Sequence, residues 1–127
     1  MTNIEELKEW ASNNAVLIGS AALGVETEDS DLDYAVSEED FELLNINLET
    51  TILNAKDYVN VTPPLGNTKL LRLKGIDLLI YPTQGYVDDI ENCIEILKNV
   101  PKVFLKDKGT RCTLFEFLLR KCWCQDK

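Results

Sequence analysis

Histidine is absent from all 127 residues. That absence excludes serine–histidine and cysteine–histidine hydrolase chemistry, so a general base here has to be a carboxylate, a lysine, a tyrosine or water. Cations are scarce as well: 13 Lys and Arg stand against 22 Asp and Glu, a net charge of −9. A phosphate backbone demands a basic face, so a long nucleic acid is not expected as a standing partner. The acid excess suits a small nucleotide, a protein partner or a cationic small molecule. No apolar run approaches the roughly 20 residues of a membrane-spanning helix. Met1–Trp10 is polar and acidic, without the apolar segment of a secretion signal, so a cytoplasmic location and no membrane partner are expected. Cys93, Cys112, Cys122 and Cys124 form no Cys-x-x-Cys pair of the kind structural zinc uses. They read as reduced thiols.

What is present is enough for one domain. With 45% hydrophobic residues, 1–127 can bury a core of its own. Ile4, Leu7 and Trp10 share one face of a first helix through Ala11, capped by Thr2 or Asn3, with a turn at Asn13-Asn14. Ala15–Ile18 and Leu32–Val36 read as strands. Ser37 looks like an N-cap with Glu38, Glu39 and Asp40 behind it, where the helix dipole favours acid, and Phe41, Leu44 and Leu48 make the buried stripe. Asp57–Val61 and Lys69–Leu73 alternate as a hairpin around Thr62–Asn67. Gly75–Tyr81 is a further strand, and helices follow at Tyr86–Asn99 and Thr113–Cys124, the last opening with a Thr-x-x-Glu capping box at Thr113 and Glu116. The order predicts an α/β or α+β domain: a mixed sheet of about five strands with helices mainly on one face.

The stretch from Val16 to Val36 carries the chemistry. Gly19-Ser20 follows the first strand, and Asp31 and Asp33 come after a ten-residue gap. In an extended strand alternate side chains share a face, so Asp31 and Asp33 point the same way. Two adjacent carboxylates repel unless a cation lies between them, and all-oxygen ligation suits magnesium. Gly19 permits a tight turn and close approach of the backbone to a ligand, and Ser20 opens a short helix with free N–H groups and a hydroxyl. Asp77 sits inside the apolar run Ile76-Asp77-Leu78-Leu79-Ile80, where a carboxylate needs a partner or a metal.

Gly-Ser, a gap of about ten residues, Asp-x-Asp, and a third carboxylate on a later strand together resemble the DNA polymerase beta-like nucleotidyltransferase superfamily. The Ser30-Asp31-Leu32-Asp33 ending is most similar to the minimal nucleotidyltransferases, small proteins often paired with HEPN-type partners. The resemblance covers residues 15 to 81. It implies a nucleotidyltransferase-like fold and magnesium-dependent transfer of a nucleoside monophosphate from a nucleoside triphosphate to a hydroxyl acceptor, with release of pyrophosphate. Asp31, Asp33 and Asp77 would be catalytic and hold two magnesium ions, and Gly19 and Ser20 would bind the nucleotide. A HEPN-like partner is implied as well. Separately, Leu114, Phe115, Phe117, Leu118 and Trp123 make the final helix apolar over more than half its circumference, which leaves a face for a partner or a homo-oligomer.

One departure from the pattern is plain. Family members often carry basic residues after the Gly-Ser, whereas this chain has Ala21-Ala22-Leu23-Gly24. Phosphates would rely on metal, backbone N–H groups, Ser20 and a cation from elsewhere. Lys69, Arg72 and Lys74 read as a solvent-facing stripe of the hairpin, with Lys69 or Arg72 as a candidate for that cation, and Lys106, Lys108 and Arg111 are a second candidate group. Two other functions stay open: a catalytically degenerate binding or antitoxin-type regulatory protein, and nucleotidylation of a cationic small molecule such as an aminoglycoside.

Overall fold

Alternation along the strands sorts apolar side chains onto both faces of a sheet, and helices cover both. The computed structural model describes residues 4–43, 57–61, 68–73 and 75–123. In chain order these form α1 (Ile4–Asn14), β1 (Val16–Ile18), α2 (Gly19–Ala22), β2 (Leu32–Ser37), α3 (Glu38–Glu42) and β3 (Asp57–Val61). They continue as β4 (Thr68–Leu73), β5 (Ile76–Tyr81), α4 (Gln84–Leu97), α5 (Lys102–Leu105) and α6 (Lys108–Trp123). The class is α+β with a mixed sheet in the order β1-β2-β5-β4-β3. Among the described strands β2 and β5 pair in parallel and every other neighbour is antiparallel.

On one face Tyr34 and Val36 of β2, Leu71 and Leu73 of β4, and Ile76, Leu78 and Ile80 of β5 meet Leu7 and Ala11 of α1 and Phe41 of α3. On the other, Ile18, Ala35 and Tyr81 meet Val87, Ile90, Cys93, Ile94 and Leu97 of α4, with Leu105 and Leu119 behind them. The expectation of helices mainly on one face is therefore corrected. β2 and β5 are central strands, apolar on both sides, and each face has to be covered to remove it from water. Burying one such aliphatic side chain contributes about 1.5–3 kcal/mol, so neither layer is dispensable.

Several boundaries move for local reasons. α1 runs on through the Asn13-Asn14 expected to turn, because each amide side chain folds back onto the helix: Asn13 Nδ2 donates to the Glu9 carbonyl at 3.0 Å and Asn14 Nδ2 to that of Trp10 at 2.9 Å. Its expected caps, Thr2 and Asn3, lie outside the described residues, as do Leu44, Leu48 and the Thr62–Asn67 turn. Ser37 caps α3 as read, accepting from the Asp40 N–H at 3.1 Å. The last helix starts a turn and a half before Thr113. Asp107 is its cap: its Oδ2 accepts from the Thr110 N–H at 2.9 Å and the Thr110 hydroxyl at 2.8 Å, which holds the Asp107 carboxyl below its usual range. Glu116 pairs with Arg120 at 3.0 Å along the helix surface instead of capping. No helix among the described residues is long and apolar enough to cross a membrane.

Candidate active site

The site lies where β1 ends and β2 and β5 begin. Ile18 pairs with Asp33 across β1–β2, and Asp33 pairs with Asp77 across the parallel β2–β5 ladder. Asp33 and Asp77 are thus side by side at one register position, on the sheet face that carries Ala35 and Tyr81 further along. Asp31 precedes β2, half-buried, behind a turn in which the Ser30 N–H donates to the Thr27 carbonyl at 3.0 Å and Ser30 Oγ accepts from the Thr27 N–H at 2.9 Å. Ser30 is spent on that turn. The Leu32 N–H then donates to the Gly75 carbonyl at 3.1 Å and locks the start of β2 to the approach of β5.

Burial, the neighbouring Asp77 charge and hydrogen bond, and the Asp31 charge push the Asp33 carboxyl up to about 6, with Arg72 pulling against them. The Asp77 carboxyl is raised too, chiefly by burial; Arg72 opposes that rise and Asp31 adds to it. The pair therefore shares a proton at acid pH and is a concentrated negative charge above it. Asp77 Oδ1 is buried with no hydrogen-bond partner, although Arg72 Nε stands 3.4 Å away as an ion-pair partner. All-oxygen donors, mutual repulsion and a buried carboxylate oxygen left unsatisfied fit a hard divalent cation such as magnesium. The structure brings Asp33 and Asp77 into direct contact and sets Asp31 close enough for its charge to act on both. Among the described residues it gathers no three carboxylate or cysteine side chains into a ready-made metal cage.

Gly19 adopts φ +73°, and a Cβ built there would lie 2.5 Å from Asp33 Oδ2. Glycine is required twice over, by the left-handed backbone and by the carboxylate packed against it. Ser20, half-buried in α2, follows directly. The turn foreseen between the first strand and the acidic pair is thus present and touches Asp33.

The candidate cations separate. Arg72 is at the site, paired with Asp77. Lys69 is exposed, and strand alternation puts it on the opposite face. Lys74 lies outside the described residues. Arg111 is engaged elsewhere, its Nη1 donating to the Leu105 carbonyl at 3.0 Å, and Lys106 and Lys108 are exposed. Sequence reasoning passed over Lys102, whose Nζ would lie 2.9 Å from a Cβ on Gly24, just past α2. No spacing signal could have found it, because it comes from α5, far along the chain. A groove of about 350 Å³ also runs beside the β1 edge, lined by Ser12, Val16, Glu91, Ile94 and Lys98 among others, and Asp31, Asp33 and Asp77 are not part of its lining.

The chain matches no protein-family profile, no curated protein and no solved structure.

Proposed function

We propose that this protein is a magnesium-dependent nucleotidyltransferase acting on a nucleoside triphosphate and a hydroxyl acceptor. The observation that carries the reading is the register pairing of Asp33 with Asp77, with the Gly19 turn packed against Asp33. Asp31, Asp33 and Asp77 would hold the cations, and Gly19 and Ser20 would receive the phosphates. Bound magnesium would neutralise charge on the entering and leaving oxygens of an in-line displacement. In that displacement the acceptor oxygen bonds to the α-phosphorus, the bond to the bridging oxygen of pyrophosphate breaks, and pyrophosphate leaves with that electron pair. The acceptor's proton passes to the Asp77 carboxylate. Burial raises the proton affinity of Asp77, the direction that strengthens it as a base, while Arg72 opposes the rise.

The test is incubation with labelled nucleoside triphosphates and magnesium, together with candidate acceptors and the product of the neighbouring gene. Label transfer with stoichiometric pyrophosphate, lost in Asp33→Asn, supports the reading; absence of magnesium binding by the purified protein overturns it.

A second reading is a nucleotidyltransferase-like binding or regulatory protein without turnover. Ala21 and Ala22 favour it, since they leave the segment after Ser20 without a cation. Such a protein would bind its partner with Asp33→Asn and wild type alike.

A further inference from the structure

β1 ends the sheet: β2 is its neighbour on one side, and its other edge carries backbone N–H and C=O groups that no described strand pairs. Proteins commonly guard such an edge with lysine, proline or a bulge, whereas Val16-Leu17-Ile18 is aliphatic throughout and is guarded by shortness alone. The groove of about 350 Å³ runs along this edge. α1 supplies Ser12 to one wall, α4 supplies Glu91, Ile94, Glu95 and Lys98 to the other, and β1 lies between them. Val16 packs toward the α4 layer and Leu17 toward the α1 layer, each half-buried, so apolar surface is left on both sides of the edge. Lys98 Nζ donates to Glu95 Oε2 at 2.8 Å, with side chains 48% and 63% exposed. Glu91, about two turns back on the same side of α4, is exposed and makes no ion pair among the described residues.

We propose that a second copy of this chain occupies the groove: the two β1 edges pair antiparallel about a two-fold axis, and the two sheets become one. Strand addition supplies backbone hydrogen bonds without demanding a particular side-chain sequence. Charge decides between a second copy and a foreign strand. A two-fold contact needs a surface that carries its own complement, and α4 carries one. Its groove lining runs from Glu91 to Lys98, so an axis through the middle sets Glu91 of each copy opposite Lys98 of the other. A lysine ammonium has three N–H donors, so Lys98 keeps Glu95 while taking the second carboxylate. A foreign strand would find only a three-residue edge, whereas a second copy adds its own α4 to the contact. The pairing uses none of Asp31, Asp33 and Asp77, and it holds whatever reaction they serve.

Sedimentation equilibrium of the full chain, from micromolar to near-millimolar concentration, reads the association. Amide hydrogen exchange at low and high concentration reads its place. Wild type should form a dimer in which Val16–Ile18 exchanges more slowly than in the monomer. Glu91→Lys and Lys98→Glu each set like charges together twice in a two-fold dimer, and each should weaken association roughly tenfold. Glu91→Lys combined with Lys98→Glu restores opposite charges and should return to within about threefold of wild type. Both side chains are exposed, so the variants should melt close to wild type. Should Lys98→Glu not fold, Glu91→Lys and the exchange at β1 decide. A monomer at every concentration overturns the proposal and leaves the groove to another protein's strand. A dimer indifferent to Glu91→Lys, or one in which exchange at β1 is unchanged, has its interface elsewhere and overturns it as well. Failure of the double variant to recover overturns the pairing of Glu91 with Lys98.

Discussion

Gly19 lies so close to the Asp33 carboxylate that the smallest side chain at position 19 would meet Oδ2 at 2.5 Å. Two costs are superposed there, a left-handed backbone and a collision, and they are separable. Gly19→Ala should lower stability by roughly 2–3 kcal/mol, of which about 1–2 kcal/mol is backbone strain. In an Asp33→Ala background only the strain should remain. A thermal double-mutant cycle measures the difference, and strictly additive losses would show that Asp33 simply moves aside.

The Asp33 carboxyl should make the metal-free protein less stable as pH rises. Its folded value of about 6 exceeds the ordinary 3.8 of a free aspartate, so the folded state binds the proton more tightly than the unfolded one. The stabilising contribution is then present in full below about pH 4 and is lost as pH rises through about 6. Discounted for partial exposure and sharing with Asp77, the effect is on the order of 1–2 kcal/mol. Denaturant unfolding in EDTA at pH 5 and pH 7.5 should show it in wild type, and Asp33→Asn should flatten the difference. A slope that survives in Asp33→Asn assigns the effect elsewhere.

Replacing Asp31 and Asp33 together by Asn should leave the protein melting no lower than wild type in EDTA, because the exchange relieves repulsion among three neighbouring carboxylates. The same double variant should lose the stabilisation that magnesium gives wild type. A clear drop in its melting temperature in EDTA would make the pair a hydrogen-bonded structural element.

Under the proposed function, Asp77→Asn should keep affinity for magnesium–nucleotide within a few fold while turnover falls by roughly 10²–10⁴, the loss expected when a positioned base is removed. Calorimetry and pyrophosphate release on that one variant make the comparison. Parallel collapse of both would move Asp77 from proton acceptor to ligand of the nucleotide's own metal.

The thiols should divide by position. Cys93 is buried between α4 and α6, its Sγ 4.0 Å from that of Cys122, and burial first, then Cys122, pushes its thiol up to about 12. Cys112 and Cys122 are exposed. Iodoacetamide at pH 8 should therefore alkylate Cys112 and Cys122 in the folded protein and Cys93 only after unfolding, read by peptide mass. Rapid native labelling of Cys93 would mean that α6 lifts from α4.

How far the sequence could be read depended on whether the decisive partner was near in the chain. The Gly19 turn, the Ser37 cap and the Asp57–Val61 strand are local consequences of residue type, and the structure has them. Strand pairing between Asp33 and Asp77 is not local; it was anticipated only as a requirement for a third carboxylate. Arg72 looked like part of a basic stripe because Lys69 and Lys74 flank it, yet alternation alone separates Arg72 from Lys69. Sequence reading placed the final helix at Thr113 because Thr-x-x-Glu imitates a cap, while Asp107 and the Thr110 hydroxyl formed the real one. Covering of both sheet faces is not legible because an apolar stripe marks one side of a helix without saying which side of the sheet receives it: α1 and α3 cover one face, α4 and α6 the other.

The sheet is assembled from two parts that each close over short stretches of chain. β1 and β2 pair across the α2 turn, and β3, β4 and β5 fold as a meander, Leu73 pairing with Ile76 at its second bend. Asp33 belongs to the first part and Asp77 to the second, so their carboxylates meet only when the β2–β5 seam forms between positions far apart in sequence. Such a long-range contact is the slow step in assembling a sheet. At neutral pH without a counter-ion, that seam closes against its own charge. A cation at Asp33 and Asp77 would therefore act as a rivet at the polar end of a seam whose other end, from Tyr34–Leu78 onward, is held by packing on both faces.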